Sequence, residues 1–138
     1  MLFRSSVIDT ATNAVVGSPI PVGIFPRTVA ITPNGAYAYV TNTTSDTVSV
    51  INTNTNAVVG SPILVGDGPN VVAITPDGAY AYVTNTNEDT VSVIDTATNT
   101  VSATIGVGDG PIGVAICPVA VVPPVTPTDP AVVLKFTG

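Results

Sequence analysis

Apolar and polar positions alternate over short stretches and never hold the three-to-four-residue spacing of a helical face, so the chain reads as strands throughout. The pattern is clearest in residues 71–85, VVAITPDGAYAYVTN. Residues 71–75 predict one strand, and Pro76-Asp77-Gly78 stops it, because Pro presets an early turn position and Gly accepts a positive φ. Alternation resumes over residues 79–84, with Tyr80 and Tyr82 on one face and Ala79, Ala81 and Val83 on the other. After a polar loop at 85–89, the β-branched run 90–95 predicts a third strand, 96–99 a hairpin loop and 100–107 a fourth strand. Residues 108–111 (GDGP) then lead back to a new first strand. Pro or Gly interrupts every few residues, which leaves no window for a helix.

The same unit recurs. Residues 28–42 read TVAITPNGAYAYVTN, and a worn third copy begins at Val114 as VAIC. Val7, Val50 and Val93 are equivalent, a step of 43, and residues 7–49 differ from 50–92 at only ten positions. Pro69 matches Pro111, so the third copy has lost one residue in its outer half. Four strands in a repeat of this length match a β-propeller blade, for which about 40–45 residues are usual.

The predicted fold is therefore all-β: a β-propeller of four-stranded antiparallel blades of about 43 residues. One chain holds too little to close it. Within the repeat region 1–117 lie a part-blade at 7–23, whole blades at 28–66 and 71–108, and the first strand of a next blade at 113–117. A ring needs roughly four to eight blades. Either oligomerisation completes it, or the sequence is a truncated part of a larger propeller.

Residues 118–130 (PVAVVPPVTPTDP) read as a Pro-rich linker, and 131–138 carry a C-terminal strand, AVVLKF, that would pair beside 113–117 and complete a blade. Two chains arranged head to tail would then make a six-bladed homo-oligomer, a dimer with three blades from each chain.

Composition narrows the chemistry. With 45% hydrophobic and 9% charged residues, the chain suits strands buried on both faces. Its net charge of −6, with only Arg4, Arg27 and Lys135 as cations, opposes nucleic-acid binding. No apolar run approaches the ~18 residues of a membrane span, and the start, MLFRSSVIDT, is too short and too quickly polar for a signal peptide. Cys117 is the only cysteine; its strand position predicts an inert small core residue.

Histidine is absent, which removes Ser-His-Asp and Cys-His arrangements and His-based metal sites. No catalytic residue, metal ligand set or cofactor is expected, and the chain reads as a non-enzyme. The acidic loop residues could hold Ca²⁺ through carboxylates, but Asp-Gly and Asn-Gly pairs are ordinary turn chemistry and no EF-hand spacing appears. Asn42-Thr43-Thr44 fits the N-glycosylation pattern, which matters only for an exported chain. Tyr37, Tyr39, Tyr80 and Tyr82 read as packing between blades with bonded hydroxyls, rather than as stacking platforms.

Tyr39-Val40-Thr41-Asn42 and Tyr82-Val83-Thr84-Asn85, the preceding TPNG and TPDG, the VSVI that follows in both copies and IDTATNT at 94–100 resemble the YVTN β-propeller repeat family of surface-layer and other cell-surface proteins. The likeness covers about residues 7–117. It implies a propeller fold and an extracellular or cell-surface location, while the family's activities are diverse.

The differences between copies point to a binding face. Six of the ten fall in two loop regions: Ile24/Asp67, Phe25/Gly68, Arg27/Asn70 and Thr28/Val71, then Thr44/Asn87 and Ser45/Glu88. In four-stranded blades these loops emerge on the same side. A rigid scaffold with variable loops on one side is a common way to build a binding surface. The candidate ligand-binding residues are Phe25, Arg27, Thr44, Ser45, Asp46, Asp67, Asn70, Asn87, Glu88, Asp89 and Asp109. The functional expectation is a noncatalytic module for protein–protein or cell-surface recognition. The alternatives are a structural surface-layer assembly element and a fragment of a propeller enzyme such as a lactonase-type hydrolase.

Overall fold

The computed structural model describes residues 3–117. The predicted linker at 118–130 and C-terminal strand at 131–138 lie outside the described residues. Three antiparallel sheets follow one another along the chain, and the described residues include no helix. The first sheet is a hairpin of β1 (Arg4–Asp9) and β2 (Ala14–Pro21). The second holds β3 (Pro26–Ile31), β4 (Tyr37–Asn42), β5 (Thr47–Asn52), β6 (Ala57–Val58) and β7 (Ile63–Leu64). The third runs β8 (Pro69–Ile74), β9 (Tyr80–Asn85), β10 (Thr90–Asp95) and β11 (Thr100–Gly106).

Each whole blade is a meander in which every strand pairs with its successor. β6 and β7 both pair with β5, so they are two pieces of one fourth strand. Gly60 at φ +65 and Pro62, which offers no N–H to the ladder, lie at this break, and their equivalents Gly17 at φ +68 and Pro19 lie at a register shift inside the continuous β2. In the third copy, one residue shorter and with neither Gly nor Pro at that point, β11 is continuous with one irregularity opposite Val93 and Ile94. First strands start at Pro26 and Pro69, where an absent N–H is tolerated. Residues 113–117, predicted as a further first strand, carry no ladder, because no second strand lies beside them among the described residues.

The core sits between sheets. Tyr39, Val48, Val50 and Ile63 of one blade pack against Val72, Ala81, Val83 and Ile94 of the next. The equivalent contact one step earlier, between the β1–β2 hairpin and the first whole blade, gathers Val7, Ile20 and Val22 against Ala38, Val40 and Ile51. The middle sheet, β3–β7, is the one with a neighbour against each face among the described residues, and its strands β4 and β5 are buried almost throughout. The architecture is a partial propeller with no closed ring.

Hydroxyls stitch the blades together. Thr41 Oγ1 donates to the Asn70 carbonyl at 2.8 Å and Thr43 Oγ1 to that of Pro69 at 2.8 Å. One step on, Thr84 Oγ1 donates to the Ile112 carbonyl at 3.3 Å and Thr86 Oγ1 to that of Pro111 at 2.9 Å. Residues 111–112 therefore occupy the place that Pro69 and Asn70 hold a blade earlier.

Candidate ligand-binding face

The loops between second and third strands and those between successive blades form one hydrogen-bonded rim. Thr43 N donates to the Phe25 carbonyl at 3.0 Å and Thr44 N to that of Ile24 at 3.2 Å. Asp46 carries the chain of contacts onward: its Oδ1 accepts from Gly68 N at 3.0 Å and its carbonyl from Val65 N at 3.0 Å. Thr86 N and Asn87 N then donate to the carbonyls of Gly68 and Asp67. Asp89 repeats the role of Asp46, accepting from Gly110 N at 2.8 Å and Val107 N at 2.9 Å.

Most of the predicted site residues are brought together on this rim, and several are tied into it. Asp46 and Asp89, both at positive φ, work as pins between loops. Ser45 Oγ accepts from Ile24 N at 3.1 Å, Asn87 Nδ2 donates to Asp67 Oδ1 at 3.0 Å, and Thr90 Oγ1 donates to Glu88 at 3.3 Å. Asn70 is buried at 6% exposure, its Nδ2 donating to Thr86 Oγ1, so it stiffens the rim from within and presents no face to solvent. Thr44 and Asp109 are exposed.

Beneath the rim lies a pair of asparagines whose role the sequence reading missed. Asn42 Nδ2 donates to Thr47 Oγ1 at 3.1 Å and Ser49 Oγ at 3.0 Å, and Asn85 Nδ2 donates to Thr90 Oγ1 at 2.9 Å and Ser92 Oγ at 2.8 Å. Both are fully buried and each leaves Oδ1 without a partner. Gly23 and Gly66 lie directly against them. A Cβ on Gly23 would meet Asn42 Cγ at 2.6 Å, and one on Gly66 would meet Asn85 Nδ2 at 2.5 Å and also Glu88. Recurrence of the Gly and the Asn in both copies was the available signal.

The first interblade loop differs from its successors in chemistry. Ile24 and Phe25 stand 47% and 54% exposed, and Phe25 takes φ +59 where its equivalent Gly68 takes +69. A bulky residue in that region is strained. Arg4 and Arg27, the two cations among the described residues, line one shallow cleft with Pro26, Thr28, Val29 and Val40. The later loops carry Asp67, Glu88, Asp89 and Asp109 instead.

Away from the rim, Thr75 Oγ1 donates to Asp77 Oδ1 at 2.6 Å and Ala79 N donates to the same atom at 3.0 Å, which holds the Asp77 carboxyl below its ordinary range. Tyr39 is buried between blades, whereas Tyr37 and Tyr80 are 37% and 41% exposed. Burial first, then the nearby Tyr37 and Asp95, push the Tyr39 hydroxyl up to about 12. Cys117, expected in the core, is exposed, since nothing among the described residues packs outside its segment. No group of three metal-ligating side chains gathers among the described residues, and none of their elements is a helix long and apolar enough to cross a membrane.

The chain is similar in structure to hydrazine synthase from Kuenenia stuttgartiensis (34% identity, TM-score 0.72, covering 77% of this chain and 30% of that one). It is also similar to a functionally unknown protein from Desulfotomaculum acetoxidans (21%, TM-score 0.68, covering 79% and 37%). A third similar structure is AztD from Citrobacter koseri (17%, TM-score 0.61, covering 78% and 30%). These neighbours are β-propeller-type proteins, and with the stacked four-stranded blades they define the class of this chain: a β-propeller, present in part. The chain spans about a third of their length, at 30% and 37% of the first two. No family model matches it, and no curated protein matches it in sequence.

Proposed function

We propose that this chain is a noncatalytic binding module of the YVTN propeller type, recognising a protein or cell-surface ligand through the loop rim and working at the cell surface. The observation that carries this reading is the contrast within the rim. Asp46, Asp89, Ser45 and Asn70 tie the loops together, while Ile24 and Phe25, two to three residues before Arg27 in the chain, leave apolar surface exposed. A pinned frame lowers the ordering cost of binding, and aromatic residues and Arg are each enriched at protein interfaces. Absence of histidine and engagement of the rim carboxylates in loop contacts favour binding over hydrolysis, so a propeller enzyme fragment is the weaker alternative.

The test replaces the first loop's chemistry with that of the second copy, in an I24D/F25G/R27N variant. Labelled wild type should bind arrayed cell-wall saccharides or cell-surface proteins, and the variant should lose that binding while its circular dichroism stays unchanged. Equal binding by both, or none by the wild type, would reject the reading. A second reading is an assembly element of a surface layer, in which the chain forms a head-to-tail homo-oligomer.

A further inference from the structure

Successive turns of an antiparallel meander lie at opposite ends of the blade, so those joining first to second and third to fourth strands fall on the side away from the rim. On that side a cleft of about 310 Å³ opens between the two whole blades. Asn34, Tyr37 and Tyr39 of one blade and Asp77, Gly78 and Thr96 of the next line it. Both walls belong to whole blades, so the cleft is a regular joint of the stack. Tyr37 and Tyr39 stand two apart in β4, on the face turned to the next blade, and Tyr37 stays 37% exposed with that blade in place.

The walls are tied by bonds that leave particular atoms unengaged. Thr32 Oγ1 and Ala36 N both donate to Asn34 Oδ1, at 2.7 and 3.0 Å, while Asn34 Nδ2 has no partner among the described residues. One blade on, Thr75 Oγ1 and Ala79 N hold Asp77 Oδ1 in the same way and leave Oδ2 without one. Thr96 Oγ1 donates to the Gly78 carbonyl at 2.5 Å and anchors the Asp77 turn to its own blade. A Cβ on Gly78 would come 3.4 Å from Pro33 Cδ, so the turns of the two blades approach each other there. Tyr39 gives its hydroxyl to Asn99, whereas the Tyr37 hydroxyl forms no bond among the described residues.

An acceptor-only carboxylate oxygen, a donor-only amide nitrogen and a phenol that does both thus line one pinned cleft with aromatic ring surface. A sugar hydroxyl both donates and accepts, and the C–H face of a sugar ring packs on an aromatic, so this mixture matches a saccharide. A cation would face the Asn34 amide donor, and an anion would face the Asp77 carboxylate. The volume falls at the lower end of the range for small-molecule sites, about 300–1,000 Å³, the scale of a single sugar unit. We infer that this interblade cleft is a saccharide-binding site, in which Asp77 Oδ2 and Asn34 Nδ2 bond sugar hydroxyls and Tyr37 supports the ring. The inference is independent of the rim reading, since the cleft lies on the other side of the blades.

The experiment uses the full 138-residue chain and saturation-transfer NMR, with glucose, galactose, mannose and N-acetylglucosamine as probes. The wild type should bind at least one of them, and D77N and Y37A should each weaken that binding about tenfold or more. D77N keeps its turn, because Asn34 makes the same two bonds at the equivalent position of the first blade. Unchanged circular dichroism verifies the fold of both variants. No bound sugar in the panel, or binding by both variants equal to the wild type, would overturn the cleft. Binding lost in I24D/F25G/R27N but kept in D77N would overturn it too, and would place the sugar at the rim.

Discussion

The Tyr39 hydroxyl donates to Asn99 Oδ1 at 2.6 Å, joining the second strand of one blade to the outer hairpin of the next across 60 residues of sequence. Tyr39 contributes its ring to the interblade core and its hydroxyl to this bond. Replacing it by Phe keeps the ring and orphans only an exposable amide, so Y39F should lose about 1 kcal/mol in denaturant unfolding. Y82F should lose less, since no following blade among the described residues meets Tyr82.

The same hydroxyl imposes a pH dependence. Its folded value of about 12 lies above the ordinary 10.0, so the folded state holds the proton more tightly. The resulting stability is fully present below pH 10.0 and is lost as the pH rises towards about 12. Alkaline titrations of thermal stability should show this loss in the wild type, and Y39F should flatten it.

Asp77 acts in the opposite direction. Its lowered carboxyl favours the fold above the ordinary Asp range and loses that benefit as the pH falls through the folded value. D77N, which cannot titrate, should remove that acid-limb contribution from a pH series of unfolding midpoints.

Two glycine substitutions separate crowding from backbone strain. G66A places a Cβ 2.5 Å from Nδ2 of the buried Asn85 and also against the Glu88 carboxylate, whereas G35A meets open space and strains only a φ of +73. Unfolding midpoints should show G66A costing about 1–3 kcal/mol as an overpacking change, and G35A about 1 kcal/mol. Equal losses would mean that the Asn85 cradle yields.

Phe25 carries strain that its equivalents Gly68 and Gly110 do not, since all three take positive φ. F25G should leave stability unchanged or raise it by up to about 1 kcal/mol, while reducing binding through the rim. Stability gained together with binding lost would mark the strain as retained for recognition. A loss of stability would mean that Phe25 packs within the fold.

Legibility followed the range of the interactions involved. The hairpins of the blade 71–108 were readable because turn chemistry and alternation are local, and the predicted third strand 90–95 coincides with β10. The break of the fourth strand into β6 and β7 falls at Gly60 and Pro62, yet only pairing with β5 shows both pieces belong to one strand. Within the candidate face, the clustering of variable loops was legible from the 43-residue step. The division of labour inside it was not: Asn70 and Phe25 looked alike as variable loop residues, and burial separates them at 6% and 54% exposure.

The amino-acid order alone determined the strand-forming units, their repetition and the phase at which each blade starts, because these depend on residues within a few positions of one another. Tertiary structure decided which acidic side chains became pins, which Tyr was buried and which apolar face stayed open. Each of those outcomes depends on whether a neighbouring blade is present to exclude water from a given side chain. The shared run VAITP at residues 29–33 and 72–76 therefore leaves Val29 60% exposed and Val72 6% exposed.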